Sequence, residues 1–151
     1  MYTTRPATPA DADIIARYNQ AMAQETENKA LSLEVLGPGV RRVFNEPSQG
    51  RYLVAVSDAG EVVGCLLITY EWSDWRNAQV WWVQSVYVHP EHRRRGVFGL
   101  LYQAVRELGE SVGGVCGYRL YVERDNTRAQ RTYEGLGMNQ TAYLMYEDLL
   151  D

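Results

Sequence analysis

The spacing of apolar and polar residues predicts a helical beginning for the chain. Residues 2–5 have an extended character, and a Pro-Ala-Asp sequence at 9–11 suits the first turn of a helix. Apolar residues then recur at helical spacing up to about Glu25. A second helix is predicted over 32–45, interrupted or entered at Gly37-Pro38-Gly39 because these residues break helices.

The centre of the chain is predicted to form three consecutive strands. Residues 51–57, 62–72 and 79–88 are rich in β-branched and aromatic residues. Polar turn sequences at 58–61 and 73–77 separate them. Because the connections are this short, the strands are expected to form an antiparallel meander.

The last third alternates between helical and strand patterns. The elements predicted there are a helix over 96–108 broken by Gly113-Gly114, a strand over 118–122, a helix over 126–136 stopped by Gly137, and a strand over 141–146. The order of elements predicts an α/β (α+β) fold, a single mixed and mostly antiparallel sheet flanked by helices. A length of 151 residues fits one domain spanning 1–151.

Composition and charge narrow the function classes. The chain is 46% hydrophobic and 23% charged, which is typical of a globular protein. Its net charge of −4 argues against a nucleic-acid partner, and no apolar run is long enough for a membrane span. The N-terminus lacks the apolar stretch of a signal peptide, so we expect a cytoplasmic protein. Cys65 and Cys116 lie far apart in apolar runs and are predicted to be reduced core residues, with no disulfide framework and no metal site.

The most distinctive local sequence is Arg93-Arg94-Arg95-Gly96-Val97-Phe98-Gly99, between a predicted strand and a predicted amphipathic helix. The N-terminus of a helix presents unpaired N–H groups, glycine permits close approach of the backbone, and arginines add positive charge. Together these features indicate an anion site of pyrophosphate size, with a merely solvated arginine-rich loop as the alternative. The loop is neither a Walker A sequence nor a dinucleotide fingerprint.

This loop and its surroundings resemble the signature of the GNAT N-acetyltransferase superfamily. A strand ending in Val86-Tyr87-Val88 is followed by His89-Pro90-Glu91-His92 and then by Arg-x-x-Gly at the start of a helix. The family pattern is Gln/Arg-x-x-Gly-x-Gly/Ala, and this chain has Phe98 where Gly or Ala is usual. We expect the Phe98 N–H still to serve, because the family uses main-chain atoms there.

The downstream sequence extends the resemblance. The segment from Leu120 to Asn126 is similar to the family's fifth strand and the Asn that follows it. The next residues fit an Asn-x-x-Ala-x-x-x-Tyr-x-x-x-Gly-Phe-like run that contains Tyr133 and has Met138 in the aromatic position. The resemblance covers about residues 62–146. It points to acyl-CoA binding and says little about the acceptor.

The resemblance implies direct transfer of the acetyl group of acetyl-CoA to an amine, without an acyl-enzyme. The backbone of Val86, Tyr87 and Val88 would pair with the pantetheine arm, and a bulge near Ser85 or Val86 would separate this strand from the next. A freed N–H there would polarise the thioester carbonyl. The other implied cofactor contacts are the 93–99 loop on the pyrophosphate, Asn126 on the pantetheine amides and Arg128 on the 3′-phosphate.

The catalytic assignments follow from the same resemblance and from spacing. Tyr133 lies seven residues, or two helical turns, after Asn126. It is the candidate general acid for the departing CoA thiolate, and a core tyrosine is the alternative. The amine must lose a proton, and Glu71 is the first candidate base. Glu25 and Glu27, at the end of the first predicted helix, are the next candidates for the base and for acceptor binding, and Gln84 could order a water.

All four tryptophans lie between residues 72 and 82. Trp72, Asp74 and Trp75 adjoin Glu71, and aromatic faces beside carboxylates suit an organic cation. This favours a small amine acceptor such as a polyamine or amino sugar, and the competing interpretation is a homodimer interface.

Two other functions remain open for a GNAT-like chain. One is transfer to a protein N-terminus or a lysine side chain, since an acidic enzyme can bind basic peptides. The other is a non-catalytic acyl-CoA sensor. The sequence does not identify the acceptor, the base, the oligomeric state or the length of the acyl group.

Overall fold

The computed structural model describes residues 1–150. The chain forms two compact units, residues 1–120 and the remainder. Within 1–150 the elements are, in order, β1 Tyr2–Pro6, a 3₁₀ turn Pro9–Asp11, α1 Ala12–Glu27, α2 Leu33–Asn45, β2 Arg51–Ser57, β3 Val62–Ser73, β4 Ala78–Val88, a 3₁₀ turn Pro90–His92, α3 Val97–Val112, β5 Val115–Arg119 and α4 Thr127–Gly135.

The first unit is built on a five-stranded sheet in the order β1-β2-β3-β4-β5. The first three pairings are antiparallel, and β4 pairs with β5 in parallel after the crossover through α3. This arrangement confirms the predicted mixed, mostly antiparallel sheet. It also confirms the central meander, because short turns join β2 to β3 and β3 to β4.

One face of the sheet packs against α1 and α2. The buried cluster on this face joins Ile15 of α1 and Val40 of α2 to the strand residues Val54, Cys65 and Tyr87. The register places Val54 opposite Cys65 and Cys65 opposite Tyr87, so these strand side chains project to the same side.

The other face of the sheet packs against α3. Leu101 and Val105 of α3 are fully buried, and the intervening strand residues Leu53 and Leu66 point to this side. Gly64 brings the sheet closest to α3, because a Cβ placed there would lie 3.3 Å from a methyl group of Val97. The N-terminus of α3 is therefore seated directly on the ends of β3 and β4.

The start of α1 is fixed by Asp11. Its buried carboxylate accepts two hydrogen bonds from the Arg5 guanidinium, at 2.8 and 3.1 Å, and one from the Thr8 N–H at 2.8 Å. The hydrogen bond from Arg5, opposed by burial, holds the pKa of Asp11 below its usual value. This set of bonds ties the end of β1 to the first turn of the helix.

The predicted interruption of the second helix is wrong. The helix α2 begins after Ser32, whose Oγ accepts from the Glu34 N–H at 3.1 Å, and it continues through Pro38 to Asn45. Tertiary packing overrides the local preference, since Gly37 and Val40 are buried where α2 meets α1.

The predicted strand at 118–122 is displaced. The observed β5 is Val115–Arg119, and its register runs from Gln79 opposite Val115 to Trp82 opposite Arg119. Pairing with β4 decides the bounds of this strand, and the local sequence preference does not. Cys116 on this strand is exposed, so its predicted place in the core is wrong, whereas Cys65 is buried as predicted.

The second unit contains α4. Asn126 caps this helix, with its Oδ1 accepting from the Ala129 N–H at 3.2 Å. Gly137, with φ of 93°, follows the helix end, and the Met138 N–H returns to the Tyr133 carbonyl, so the predicted glycine stop is present. The predicted strand at 141–146 is wrong: these residues have no regular secondary structure, because a β-prone sequence does not form a strand without ladder partners.

Candidate functional site

A bulge interrupts β4 near its carboxyl end, at the predicted position. Leu67 pairs with Gln84 and Cys65 pairs with Tyr87, so two β4 residues, Ser85 and Val86, stand opposite one β3 residue. Ser85 adopts a left-handed conformation with φ of 51°. A positive φ at a non-glycine residue is uncommon and clusters at functional sites.

The edge of β4 beyond this point is open towards β5. The parallel pairing of β4 with β5 runs from residue 79 to Trp82 and ends there, opposite Arg119 at the end of β5. Residues 83–88 therefore pair with β3 alone among the described strands. Main-chain N–H and C=O groups on that edge can pair with an extended ligand in place of a strand.

The N-terminus of α3 lies a few residues beyond this edge. Gly96 caps the helix with φ of 77°, and Arg94, two residues earlier, also has a positive φ of 63°. A Cβ at Gly96 would meet no atom within 4 Å. Two residues of left-handed conformation thus precede the positive end of a 16-residue helix, an arrangement that can bind an anion.

The three arginines of the loop have different surroundings. The Arg95 guanidinium lies 3.4 Å from the Tyr2 hydroxyl, which also contacts His92 Nδ1 at 2.8 Å. Arg94 is exposed and has no hydrogen-bond or ion-pair partner within residues 1–150. Of the three arginines, Arg94 is thus the one whose charge is least offset by contacts with other protein groups.

Arg93 is held by the protein on three sides. Its Nε donates to the Val88 carbonyl at 2.8 Å, and one terminal nitrogen lies 2.7 Å from Glu25 Oε2. Its guanidinium carbon lies 5.3 Å from the centre of the Tyr87 ring, and the Tyr87 hydroxyl donates to Glu25 Oε1 at 3.2 Å. The last turn of α1, the end of β4 and the start of the loop are joined through these contacts.

Glu71 belongs to a polar group on the face of the sheet that carries α1 and α2. One carboxylate oxygen accepts from Trp82 Nε1 at 2.8 Å, and the other lies 3.4 Å from an Arg119 nitrogen. Gln84 donates to the Thr69 hydroxyl at 2.6 Å on the same face. Both oxygens of Glu71 are therefore engaged, and a role as base requires one of these contacts to open.

The remaining acceptor candidates do not form one pocket. Trp72 and Trp82 lie on opposite faces of the sheet, and Trp75 projects from the turn after β3 with 92% of its surface exposed. Glu27 is exposed at the end of α1, 3.6 Å from the Lys29 ammonium. Asp74 is exposed in the turn with Trp75.

The second unit carries the other predicted site residues. Asn126 uses its carbonyl oxygen as the cap of α4, which leaves its amide N–H groups as donors. Arg128 is exposed in the first turn. Tyr133 is half-buried near the end of the helix, and burial raises the pKa of its phenol.

Two polar residues of the site were not predicted from the sequence. Arg119 was predicted near the start of a strand over 118–122 and is the last residue of the observed β5, so its position opposite Trp82 could not be expected. Thr69 carries a usable signal, because it lies two residues before Glu71 in a strand and so shares its face.

Two kinds of feature are absent from the described residues. Within 1–150 no three His, Cys, Asp or Glu side chains are grouped so that they could hold a metal ion. No helix in that range is both long enough and apolar enough to cross a membrane.

The sequence profile of the acetyltransferase (GNAT) family matches residues 16–138. The chain therefore belongs to the GNAT acetyltransferase family. Members of this family transfer acetyl groups to amines and generally use acetyl-CoA. The matched range includes parts of both compact units, and one domain over 1–151 remains a prediction.

Solved structures agree with this assignment. One similar structure, described as "a possible acetyltransferase" from Clostridium difficile 630, is 40% identical, has a TM-score of 0.90, and is matched over 100% of this chain and 99% of that chain. An aminoglycoside acetyltransferase from an uncultured soil metagenomic sample has the same fold at 20% identity, with a TM-score of 0.78 and coverage of 100% and 99%. A ribosomal-protein-alanine N-acetyltransferase from Brucella melitensis biovar Abortus 2308 also has it, at 17% identity and a TM-score of 0.79 with 100% coverage of both chains. No curated protein matches the sequence.

Proposed function

We propose that this protein transfers the acetyl group of acetyl-CoA directly to a primary amine of a small cationic molecule. The observation that carries the proposal is the bulged, open edge of β4, which leads within a few residues to the positively charged N-terminus of α3. An extended chain ending in a pyrophosphate matches such a combination of surfaces. The family assignment supports the same donor.

The residues present fit acetyl-CoA in their donor chemistry. The backbone of Val86, Tyr87 and Val88 would pair with the pantetheine arm, although the Val88 carbonyl already accepts from Arg93. The backbone N–H groups of Gly96, Val97, Phe98 and Gly99 would hold the pyrophosphate, with Arg94 and Arg95 adding positive charge. Asn126 would donate to the pantetheine amides, and Arg128 would contact the 3′-phosphate.

The proposed chemistry needs two groups besides the donor site. A backbone N–H at the bulge would stabilise the negative charge that develops on the carbonyl oxygen. Tyr133 would protonate the departing thiolate. A phenol is protonated at neutral pH and can therefore act as an acid, and burial raises the pKa of Tyr133 further in the direction of the protonated form.

Two routes are available for removing the proton from the amine acceptor. Glu71 lies 3.4 Å from Arg119, and both side chains are partly exposed to solvent. Glu71 can accept the proton of the amine if this contact opens when the acceptor binds. A water held by Gln84 is the other route. Substitution of Glu71 by Gln separates the two, because only a direct base would be lost.

A cationic acceptor is supported by charge. The net charge is −4, and Glu27, Glu71 and Asp74 supply carboxylates on the first unit. A basic peptide fits the same charges and is the second candidate. Titrating a panel of polyamines, amino sugars and basic peptides as acceptors, with free CoA as the product measured, distinguishes these classes.

The proposal is tested first at the donor site, by calorimetric titration of CoA and acetyl-CoA into the native protein and Gly96→Asp. We expect binding in the micromolar range by the native protein, since the KM values of enzymes typically lie between about 1 μM and 1 mM, and loss of binding in the variant. An aspartate at Gly96 adds a negative charge where the pyrophosphate should lie.

The matched control is Gly60→Asp. Gly60 has φ of 82° against 77° for Gly96, and a Cβ at either position meets open space. The two variants therefore carry the same added charge and the same backbone strain, but Gly60 lies in the turn between β2 and β3. Equal loss in both variants, or no binding by the native protein, would contradict the donor site. Binding of CoA without turnover of any amine or peptide would favour a non-catalytic sensor.

A further inference from the structure

The ion pair between Glu25 and Arg93 crosses the fold at the edge of the donor site. Glu25 lies in the last turn of α1, and Arg93 begins the loop that leads to α3, 68 residues later in the chain. The nitrogen–oxygen distance of 2.7 Å is at the short end of the range for a charge-assisted hydrogen bond. The Tyr87 hydroxyl occupies the second carboxylate oxygen at 3.2 Å.

We propose that Glu25 is a positioning residue for CoA binding, which acts by holding the Arg93 side chain and through it the loop that receives the pyrophosphate. The proposal rests on the proposed function, because it takes the 93–99 loop as the donor site. It differs from the sequence-based expectation for both residues. Glu25 would not contact the acceptor, and the Arg93 guanidinium would not contact the pyrophosphate.

The contacts of Arg93 are the strongest that anchor the start of this loop. Its Nε lies 2.8 Å from the Val88 carbonyl, so the side chain folds back on the strand end that precedes it. The other anchors are longer: the Arg93 N–H reaches the Pro90 carbonyl at 3.4 Å, and Arg95 reaches the Tyr2 hydroxyl at 3.4 Å. Loss of the Glu25 contact would remove the carboxylate that fixes the guanidinium.

The backbone that follows Arg93 adopts conformations that need support from the Arg93 side-chain contacts. Arg94 and Gly96 both adopt positive φ, at 63° and 77°, and a non-glycine residue persists there only when its surroundings hold it. The stacking of Arg93 on Tyr87, a buried residue, gives the loop a rigid support. We expect the loop to sample other conformations when that support is released. The CoA affinity should then fall in proportion to the fraction of molecules whose loop leaves the binding conformation.

The test is a double-mutant cycle on CoA affinity in the full-length protein. Glu25→Gln, Arg93→Gln and the double variant are titrated with CoA by calorimetry. We expect Glu25→Gln to weaken binding by roughly three- to thirtyfold, the range for a residue coupled to a site without touching its ligand. We expect the double variant to be no weaker than Arg93→Gln, because both substitutions break the same link.

The control is the pair formed by Glu46 and Arg42, which lie 3.2 Å apart at the end of α2. Glu46→Gln removes the same charge from a glutamate that also accepts from an arginine. It is expected to leave the CoA affinity unchanged. Urea unfolding of every variant shows whether a change in affinity follows a general loss of stability.

The outcomes separate the inference from the proposed function. Native binding with an unchanged affinity in Glu25→Gln would overturn the inference alone. Additive losses in the double variant would also overturn it, because they would mean that Glu25 and Arg93 affect CoA binding independently of each other. Failure of the native protein to bind CoA would overturn the proposed function, and the inference with it.

Discussion

Replacement of Gly64 tests how the sheet supports the donor site. Gly64 lies in β3 opposite Val88, on the face that carries α3. A Cβ at this position would lie 3.1 Å from the Tyr87 carbonyl oxygen, 3.3 Å from a Val97 methyl and 3.5 Å from a Val88 methyl. The first contact is with main-chain atoms of β4, which cannot rotate away.

The magnitude follows from two opposing terms. A side chain at a glycine stabilises by about 0.4–1 kcal/mol through the unfolded chain, while overpacking costs about 1–3 kcal/mol. We therefore expect Gly64→Ala to lower the free energy of unfolding by about 1 kcal/mol. Gly64→Val adds two methyl groups in the same space, and we expect about 3 kcal/mol.

The displaced atoms belong to the donor site, so stability and function should fall together. The new side chain pushes on the Tyr87 carbonyl, next to the bulge, and on Val97, the first residue of α3. Urea unfolding gives the stability, and calorimetric titration gives the CoA affinity. We expect the affinity loss to be larger for Gly64→Val than for Gly64→Ala.

Gly117 provides the matched control, because it is also a strand glycine and a Cβ there would meet no atom within 4 Å. Gly117→Ala is expected to be neutral or stabilising, by up to about 1 kcal/mol. If Gly64→Val were as stable as the native protein and bound CoA equally well, the close approach of α3 to the strand ends would not support the site.

Three further predictions concern single groups. Tyr133→Phe should lower kcat by about 10²–10⁴-fold and leave the Kd for CoA unchanged, and an unchanged kcat would mean that the phenol is not the acid. Because the folded pKa of Asp11 is below its usual 3.8, its stabilisation is present above the unfolded pKa and is lost as the pH falls through the folded value. Unfolding in urea below pH 3.8 should show this loss in the native protein and not in Asp11→Asn, and parallel profiles would contradict it. A thiol reagent should modify only the exposed Cys116 in the folded protein, because burial raises the pKa of Cys65 to about 12, and two thiols should react in urea.

Local signals predicted most of the elements correctly because those elements depend on neighbouring residues. The bounds of β2, the turn after it and the glycine that ends α4 follow from β-propensity and from backbone conformations that glycine adopts easily. The bulge in β4 was expected only from the family resemblance. No residue type in Gln84–Val86 requires it, and only the pairing register of β4 against β3 reveals it.

The errors arose where a distant partner decides the structure. The helix α2 continues through Pro38 because packing on α1 outweighs a missing hydrogen bond. The strand β5 begins at Val115, three residues earlier than its sequence suggests, because β4 offers its edge there. Arg119 therefore reaches the Glu71 carboxylate. Glu71, the base expected from the sequence, is thus already in contact with a guanidinium.

The sequence by itself determined the class of fold, the meander, and the arginine-rich loop at the start of α3, since periodicity and turn residues are local properties. Only the tertiary structure decided which of those charges remain available. Arg93 is 68 residues from Glu25 along the chain and 2.7 Å from it in space. A charge pattern in the sequence carries no information about such a distant partner. Yet the partner decides whether an arginine is free to contact a ligand or is held by the protein in a supporting role.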